Sequence, residues 1–165
     1  RQLHIEAGTK SITEIHGAAR KMRCSKRSCV NGAPKGFLPW DTELFQKFKD
    51  NPTFENLPRC PECNKLYRAH VLWFDEYYTD HDDYGLDNLV ELVGQATSVV
   101  FVGTSFSVGI TAMIVGATQD LNLPVYVIDP NMTSDHVWAA TRGGVLIPES
   151  SETYLPELVK NLRTE

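Results

Sequence analysis

The stretch Ser98-Val99-Val100-Phe101-Val102-Gly103-Thr104-Ser105 decides the fold: an uncharged apolar run stops abruptly at a glycine. A continuous run of that kind is the mark of a strand buried on both faces of a parallel sheet. Downstream, Ser107 to Leu121 reads as a helix and Val125-Tyr126-Val127-Ile128 as a second buried strand. Pro124 stands just before that strand, where a lost N–H matters least. Upstream, Leu86, Leu89, Val90 and Val93 recur at helical spacing between Leu86 and Ala96. A last helix is predicted from Ser151 to Leu162, capped by Ser150 or Ser151, with Pro156 near its first turn. Strand, helix, strand and helix in this order form a βαβ unit, which implies a parallel sheet and a right-handed crossover. The fold class is α/β.

The chain has 165 residues and 18.5 kDa, enough for one domain or for one large domain with a small module attached. Hydrophobic residues at 42% and charged residues at 22% are ordinary for a globular protein and too apolar for a disordered one. The uncharged stretch from Leu92 to Gln119 is not read as a membrane span, because four glycines, four threonines and three serines interrupt it. The chain opens on Arg1-Gln2-Leu3-His4 with no initiating Met, apolar core or basic lead. It is therefore expected to start mid-protein, with an intracellular location (cytoplasm or nucleus) as the default. A net charge of −5 argues against nucleic-acid binding by bulk electrostatics. Residues 10–36 nevertheless hold Lys10, Arg20, Lys21, Arg23, Lys26, Arg27 and Lys35 against Glu14 alone. A solvated face is preferred there over a surface for an acidic partner.

Residues 1–23 mix polar and apolar positions, and Ser11-Ile12-Thr13-Glu14-Ile15-His16 is a short β-prone run of period two. Residues 24–66 change character: they hold all four cysteines and five of the nine prolines. Asp41 to Lys49 reads as a short helix with Asp41 at its N-cap. The cysteines fall as Cys24-x4-Cys29, then thirty residues, then Cys60-Pro61-Glu62-Cys63. Two close pairs separated by a loop is the spacing of a tetrahedral four-thiolate zinc site. Two disulfides are the rival reading, but they need an oxidising compartment that nothing here suggests. Four sulfur ligands leave no open position for water, so such a zinc is structural. The expected organisation is a Rossmann-like domain from 1–23 and 67–165, lacking its first βα unit, with a zinc module at 24–66.

Gly103-Thr104-Ser105 follows a strand and precedes a helix, where backbone amides and hydroxyls can meet a nucleotide's ribose or phosphate. Asp129 ends the next strand, twenty-six residues on, where Rossmann-type folds place an acid against ribose hydroxyls. The G-x-G-x-x-G spacing is absent, and Asp129 reads equally as a turn cap before Pro130, so these residues alone leave nucleotide binding open. His4, His70, His81 and His136 have no obvious partner and are assigned to surface or satisfied positions. His16 precedes Gly17 and stands eight residues before the first cysteine. By spacing alone it is more readily structural than catalytic.

The order of the motifs changes that weighting. Glu14-Ile15-His16-Gly17, Arg23-Cys24, the Cys60–Cys63 pair, Ala69-His70-Val71-Leu72-Trp73-Phe74-Asp75-Glu76 and Gly103-Thr104-Ser105 occur in one sequence. This resembles the sirtuin family of NAD-dependent protein-lysine deacylases across essentially the whole chain. The family pattern runs E-[LI]-H-G, paired cysteines, P-x-V-V-W-F-G-E, G-T-S-x-x-V and a later I-N-P-E-P-T-like strand end. Arg1 to Thr9 is similar to the segment that follows the family's T-Q-N-I-D motif, so the family's N-terminal glycine loop, which holds the pyrophosphate, is expected to lie outside this chain.

The resemblance implies a mechanism for the intact parent protein, of which this chain alone is expected to be an incomplete, inactive fragment. NAD would bind between the Rossmann-type part and the zinc module, and the acyl oxygen would attack the ribose C1′ as nicotinamide leaves. His16 would be the general base on a ribose hydroxyl, a task for which an imidazole with an ordinary pKa of about 6.5 is suited. Gly103, Thr104 and Ser105 match ribose and phosphate contacts, Asp129 replaces the family's asparagine at the adenosine ribose, and Ser151 lies near the adenine edge. An acyl-lysine protein or peptide would add as a strand between Val71–Glu76 and the loop after Val108, with Val71 and Phe74 flanking the acyl channel. Cys24, Cys29, Cys60 and Cys63 would hold the zinc. The departures from the pattern are Asp75 for glycine, Asp129 for asparagine, Gly109-Ile110 for Tyr-Pro and Ala69 for proline. The acidic, aromatic run Tyr77 to Tyr84 could favour basic peptides or be a solvated loop. A non-catalytic, zinc-anchored peptide-binding module and ADP-ribosyl transfer are the alternatives to deacylation. No membrane or direct nucleic-acid partner is expected.

Overall fold

The computed structural model describes residues 2–163; Arg1, which opens the stretch compared with the segment after T-Q-N-I-D, lies outside them. The chain divides into two compact units, the first through Leu89 and the second from Val90.

In the first unit a short helix α1 (Gln2–Glu6) precedes β1 (Gly17–Cys24), β2 (Leu38–Pro39), α2 (Thr42–Asp50) and β3 (Tyr67–Val71). The three strands form an antiparallel sheet in the order β2-β1-β3. The expected strand at residues 11–16 is not there. Glu14 instead grips Arg20 with both carboxylate oxygens at 2.7 and 2.8 Å, and its carbonyl accepts the Gly17 N–H at 2.7 Å. The chain therefore turns before pairing begins at Gly17. Asp41 caps α2 as expected, its carboxylate accepting the Leu44 N–H at 3.0 Å. The helix lays Leu44 and Phe45 against a core of Met22, Cys24, Cys60 and Tyr67, and Trp40 stacks on Phe45 with ring centroids 4.1 Å apart.

Helix α3 (Leu86–Gln95) lies across the division, within a residue of its predicted span. The second unit then alternates β4 (Val99–Val102), α4 (Gly109–Asp120), β5 (Val125–Ile128), α5 (Ser134–Ala139), β6 (Val145–Ile147) and α6 (Ser151–Leu162). Its strands are parallel in the order β4-β5-β6, with Phe101 beside Val127 and Val127 beside Leu146. Phe101, Val125 and Val127 on one sheet face pack with Val115 of α4 and Ala139 of α5.

The parallel sheet is as predicted, but its burial is not two-sided. Val100 and Val102 are 51% and 42% exposed, and Tyr126 beside them is 38% exposed. Both α4 and α5 contribute their apolar side chains to the opposite face. Strand β6 and helix α5 carry no sequence signal, being too short for a period to show. Ser150 is the cap of α6, its hydroxyl accepting the Thr153 N–H, and Pro156 sits in the second turn.

Candidate functional site

The four cysteines come together from two turns. Cys24 ends β1 and Cys29 lies in the following loop; Cys60 and Cys63 flank a turn before β3. All four Sγ atoms lie within 4.8 Å of one another, with Cys24–Cys63 at 3.3 Å and Cys29–Cys60 at 3.7 Å. A tetrahedral zinc with Zn–S bonds of about 2.3 Å sets its sulfurs about 3.8 Å apart, so the donor set fits that ion. The surroundings divide the thiols: burial above all pushes Cys24 up to about 12, whereas Cys60 is held low. Burial pushes the Cys60 thiol up, but hydrogen bonds from the Tyr67 hydroxyl, the Glu62 N–H and the Asn31 amide outweigh it and hold it at about 6. The Lys26 N–H points at Cys24 Sγ from 3.4 Å. Four sulfurs complete the shell, and the site organises structure and does no chemistry.

His16 stands at the start of β1, exposed, where the turn closed by Glu14 releases the chain into Gly17. Gly17 has φ +71°, and a Cβ there would lie 2.3 Å from the His70 carbonyl oxygen, so only glycine permits β1 to approach β3 at this point. The His16 carbonyl accepts the Leu72 N–H at 3.0 Å, which fixes the backbone on the other side. Its Nε2 lies 3.2 Å from the Tyr78 hydroxyl, with the two rings edge to face at 5.6 Å. Tyr78 carried no signal in the sequence, because the contact spans sixty-two residues.

Around this point the basic stretch and the acidic run answer one another. Lys21 meets Asp83 at 2.6 Å, Arg23 meets Glu76 at 2.8 Å and Arg27 meets Asp80 at 2.8 Å. Glu76 also accepts from Arg68 and from the Trp73 N–H, and these contacts hold its carboxyl below the ordinary range against the opposing effect of burial. Neither stretch is simply a solvated face. Behind them His70, His81 and Tyr84 are fully buried, His70 stacked on Tyr84 and edge to face with His81, so both histidines occupy interior rather than surface positions. Burial lowers the His70 imidazole to about 4, with the nearby His81 adding to the effect and the Asp83 carboxylate opposing it.

The segment expected to meet a peptide divides in two. Val71 closes β3 half-buried, and Trp73–Glu76 then folds into a turn, with the Glu76 N–H donating to the Trp73 carbonyl at 3.1 Å. Phe74 is fully exposed at the tip, with Asp75 exposed beside it, while Glu76 points inward. The Leu72 and Trp73 N–H groups and the Val71 and Trp73 carbonyls are all engaged within the unit. An added strand would therefore meet fewer free backbone groups here than the sequence suggests.

In the second unit the remaining residues gather at the C-terminal ends of the parallel strands, where open α/β sheets take ligands. Gly103 follows β4 with φ +59° and open space where a Cβ would stand. Ser105 and Ser107 share a hydroxyl contact at 2.8 Å, and both are exposed. Val108, half-buried, opens α4 without a side-chain cap. Asp129 follows β5, its Oδ1 accepting the Asn131 N–H at 2.8 Å, so the turn-cap reading holds for one carboxylate oxygen. The other lies 3.7 Å from Nε2 of His136. Ser151 begins α6 after β6. The open glycine, the exposed hydroxyls and the carboxylate suit the sugar and phosphate groups of a nucleotide such as NAD.

The model of the Sir2 family matches residues 1–109 of this chain. A NAD-dependent protein deacylase of Pyrococcus abyssi is 35% identical over 103 residues, which are 62% of this chain and 36% of that relative. One of Leptospira interrogans is 27% identical over 160 residues, covering 97% of this chain and 56% of its own length. The crystal structure of a Sir2 homologue–NAD complex superposes with a TM-score of 0.73 at 25% identity, over 99% of this chain and 55% of that one. The chain thus spans between about a third and just over half of these relatives. With the motif order, the cysteine cluster and the sheet all in agreement, the chain belongs to the Sir2 family.

Proposed function

We propose that, within its intact parent protein, this chain serves NAD-dependent deacylation of protein lysines, an acyl-lysine peptide being the second substrate. The observation that carries the reading is His16: within a family whose relatives are named NAD-dependent protein deacylases, its imidazole is exposed and held by Tyr78 at 3.2 Å. Bound NAD supplies a nicotinamide leaving group and the electrophilic ribose carbon that takes the acyl oxygen. His16 accepts the proton of a ribose hydroxyl, and Tyr78 orients the ring for that transfer. Gly103, Thr104 and Ser105 receive the phosphate and ribose, Asp129 accepts from sugar hydroxyls, and Ser151 borders the adenine. Val71, Phe74, Asp75, Glu76 and Val108 border the peptide. Cys24, Cys29, Cys60 and Cys63 hold a structural zinc that maintains the unit carrying His16.

The test, run on the intact protein that carries this chain, is release of nicotinamide from NAD in the presence of an acetyl-lysine peptide, with formation of O-acetyl-ADP-ribose followed by mass. A general base is worth about 100-fold or more, so His16→Ala should lose at least that much with its zinc content unchanged. Turnover that survives His16→Ala, or nicotinamide release that leaves the peptide acylated, would overturn the reading. The second outcome would favour ADP-ribosyl transfer.

A further inference from the structure

His136 is a buried imidazole that the mechanism above does not use. It is 2% exposed, at the third position of α5. There it takes the part that Glu or Gln commonly plays in a capping box: its Nδ1 accepts the Thr133 N–H at 3.1 Å and lies 2.7 Å from the Thr133 hydroxyl. A backbone N–H can only donate, so Nδ1 presents its lone pair and the ring proton belongs on Nε2. That Nε2 is buried without a hydrogen-bond partner, and Asp129 Oδ2 faces it from 3.7 Å. The ring also stands edge-on to Phe106 at 5.3 Å, the residue held at φ +57° just after Gly103-Thr104-Ser105. A buried N–H without a partner is costly, and a carboxylate placed opposite it is a ready acceptor.

We propose that His136 is a positioning residue for nucleotide binding: its Nε2–H, fixed by the capping box, backs the Asp129 carboxylate and sets it towards the sugar hydroxyls of the nucleotide. This rests on the NAD reading above. The Asn131 N–H holds one oxygen and His136 faces the other, so the carboxylate is oriented from two sides and its negative charge is partly answered from behind. The arrangement gives a role to the acid that stands where the family pattern has an amide. A carboxylate accepts from two free hydroxyls, whereas it repels a phosphorylated sugar.

Two substitutions separate positioning from helix capping. His136→Gln keeps an acceptor for Thr133 and a donor for Asp129. His136→Glu keeps the acceptor but sets a second carboxylate against Asp129. The measurement is calorimetric titration of the intact protein carrying this chain with ADP-ribose, with circular dichroism and zinc content as controls on folding. We expect His136→Gln to bind within about threefold of the wild type and His136→Glu to bind at least about tenfold more weakly. Adding Asp129→Asn to His136→Glu should recover most of that loss, because the amide can donate to the introduced carboxylate. Equal binding by all variants overturns the positioning role and leaves the NAD reading standing. An intact wild-type protein that binds no ADP-ribose overturns both.

Discussion

The imidazole of His16 depends on two neighbours that act differently. Tyr78 restrains its ring from the side through one hydroxyl, at 3.2 Å from Nε2. Tyr78→Phe keeps the edge-to-face packing and removes only that hydroxyl. Turnover of an acetyl-lysine peptide is expected to fall roughly tenfold, the worth of one oriented hydrogen bond, with unfolding unchanged. Undiminished turnover would reduce Tyr78 to a packing residue. Gly17 acts through the backbone: at φ +71°, with the His70 carbonyl 2.3 Å and the Tyr84 ring 3.0 Å from a Cβ position, alanine has nowhere to go. Gly17→Ala should destabilise the chain by about 2 kcal/mol or more, read as a lower midpoint in urea unfolding. A midpoint equal to the wild type would mean that β1 and β3 separate at no cost.

At the scale of elements, what the sequence revealed was whatever chemistry is local. The cysteine pairs were legible because each pair supplies its ligands from one turn, and α2 because Asp41 and the residues it caps are three apart. Strand β1 was not legible. Gly-Ala-Ala-Arg-Lys-Met-Arg-Cys contains no β-branched residue, and it is extended because β3 pairs with it across more than forty positions. Ion pairs from Lys21 and Arg23 to the 76–83 run reinforce that pairing. Within the site the cysteines stood out by their spacing and His16 only through the family pattern, whereas Tyr78 and His136 did not, because tertiary partners alone give them roles. The zinc module makes the dependence on long-range assembly testable. The first unit's core consists of Met22, Cys24, Cys60 and Tyr67, and includes two zinc ligands. The second unit's core of Phe101, Val115, Val125 and Val127 includes none. Structural zinc contributes on the order of 10 kcal/mol, more than a small core can replace. Chelation at neutral pH, or Cys29→Ser, should therefore abolish the thermal transition of the first unit while a second transition persists. A melting curve indifferent to chelator would refute the structural zinc.

At the scale of the whole molecule the charge balance matters more than the net charge. The sum of −5 conceals a first unit in which a basic strand and an acidic loop neutralise one another. Exposed pairs of this kind contribute little singly, but here they enclose a polar interior of Arg23, His70, His81 and Tyr84. Both imidazoles are held neutral, His70 at about 4 and His81 below its ordinary value, chiefly because burial disfavours their charged forms. The direction of the pH dependence follows from the linkage. In the unfolded chain these histidines take up protons near pH 6.5, while in the folded chain His70 refuses its proton until nearer pH 4 and His81 takes its own up below the ordinary range. The unfolded state therefore binds more protons throughout that window, and stability must fall as pH drops through it. Asp83, facing His70 at 3.1 Å, moderates the loss, and the cationic Arg23 beside both rings adds to it. Urea midpoints measured from pH 7 to pH 4.5 should decline steadily. His70→Gln would remove the larger share of that slope, because an amide carries no proton to refuse. A wild-type midpoint flat between pH 6.5 and pH 5 would show instead that water or a rearranged Asp83 receives the imidazolium at no cost.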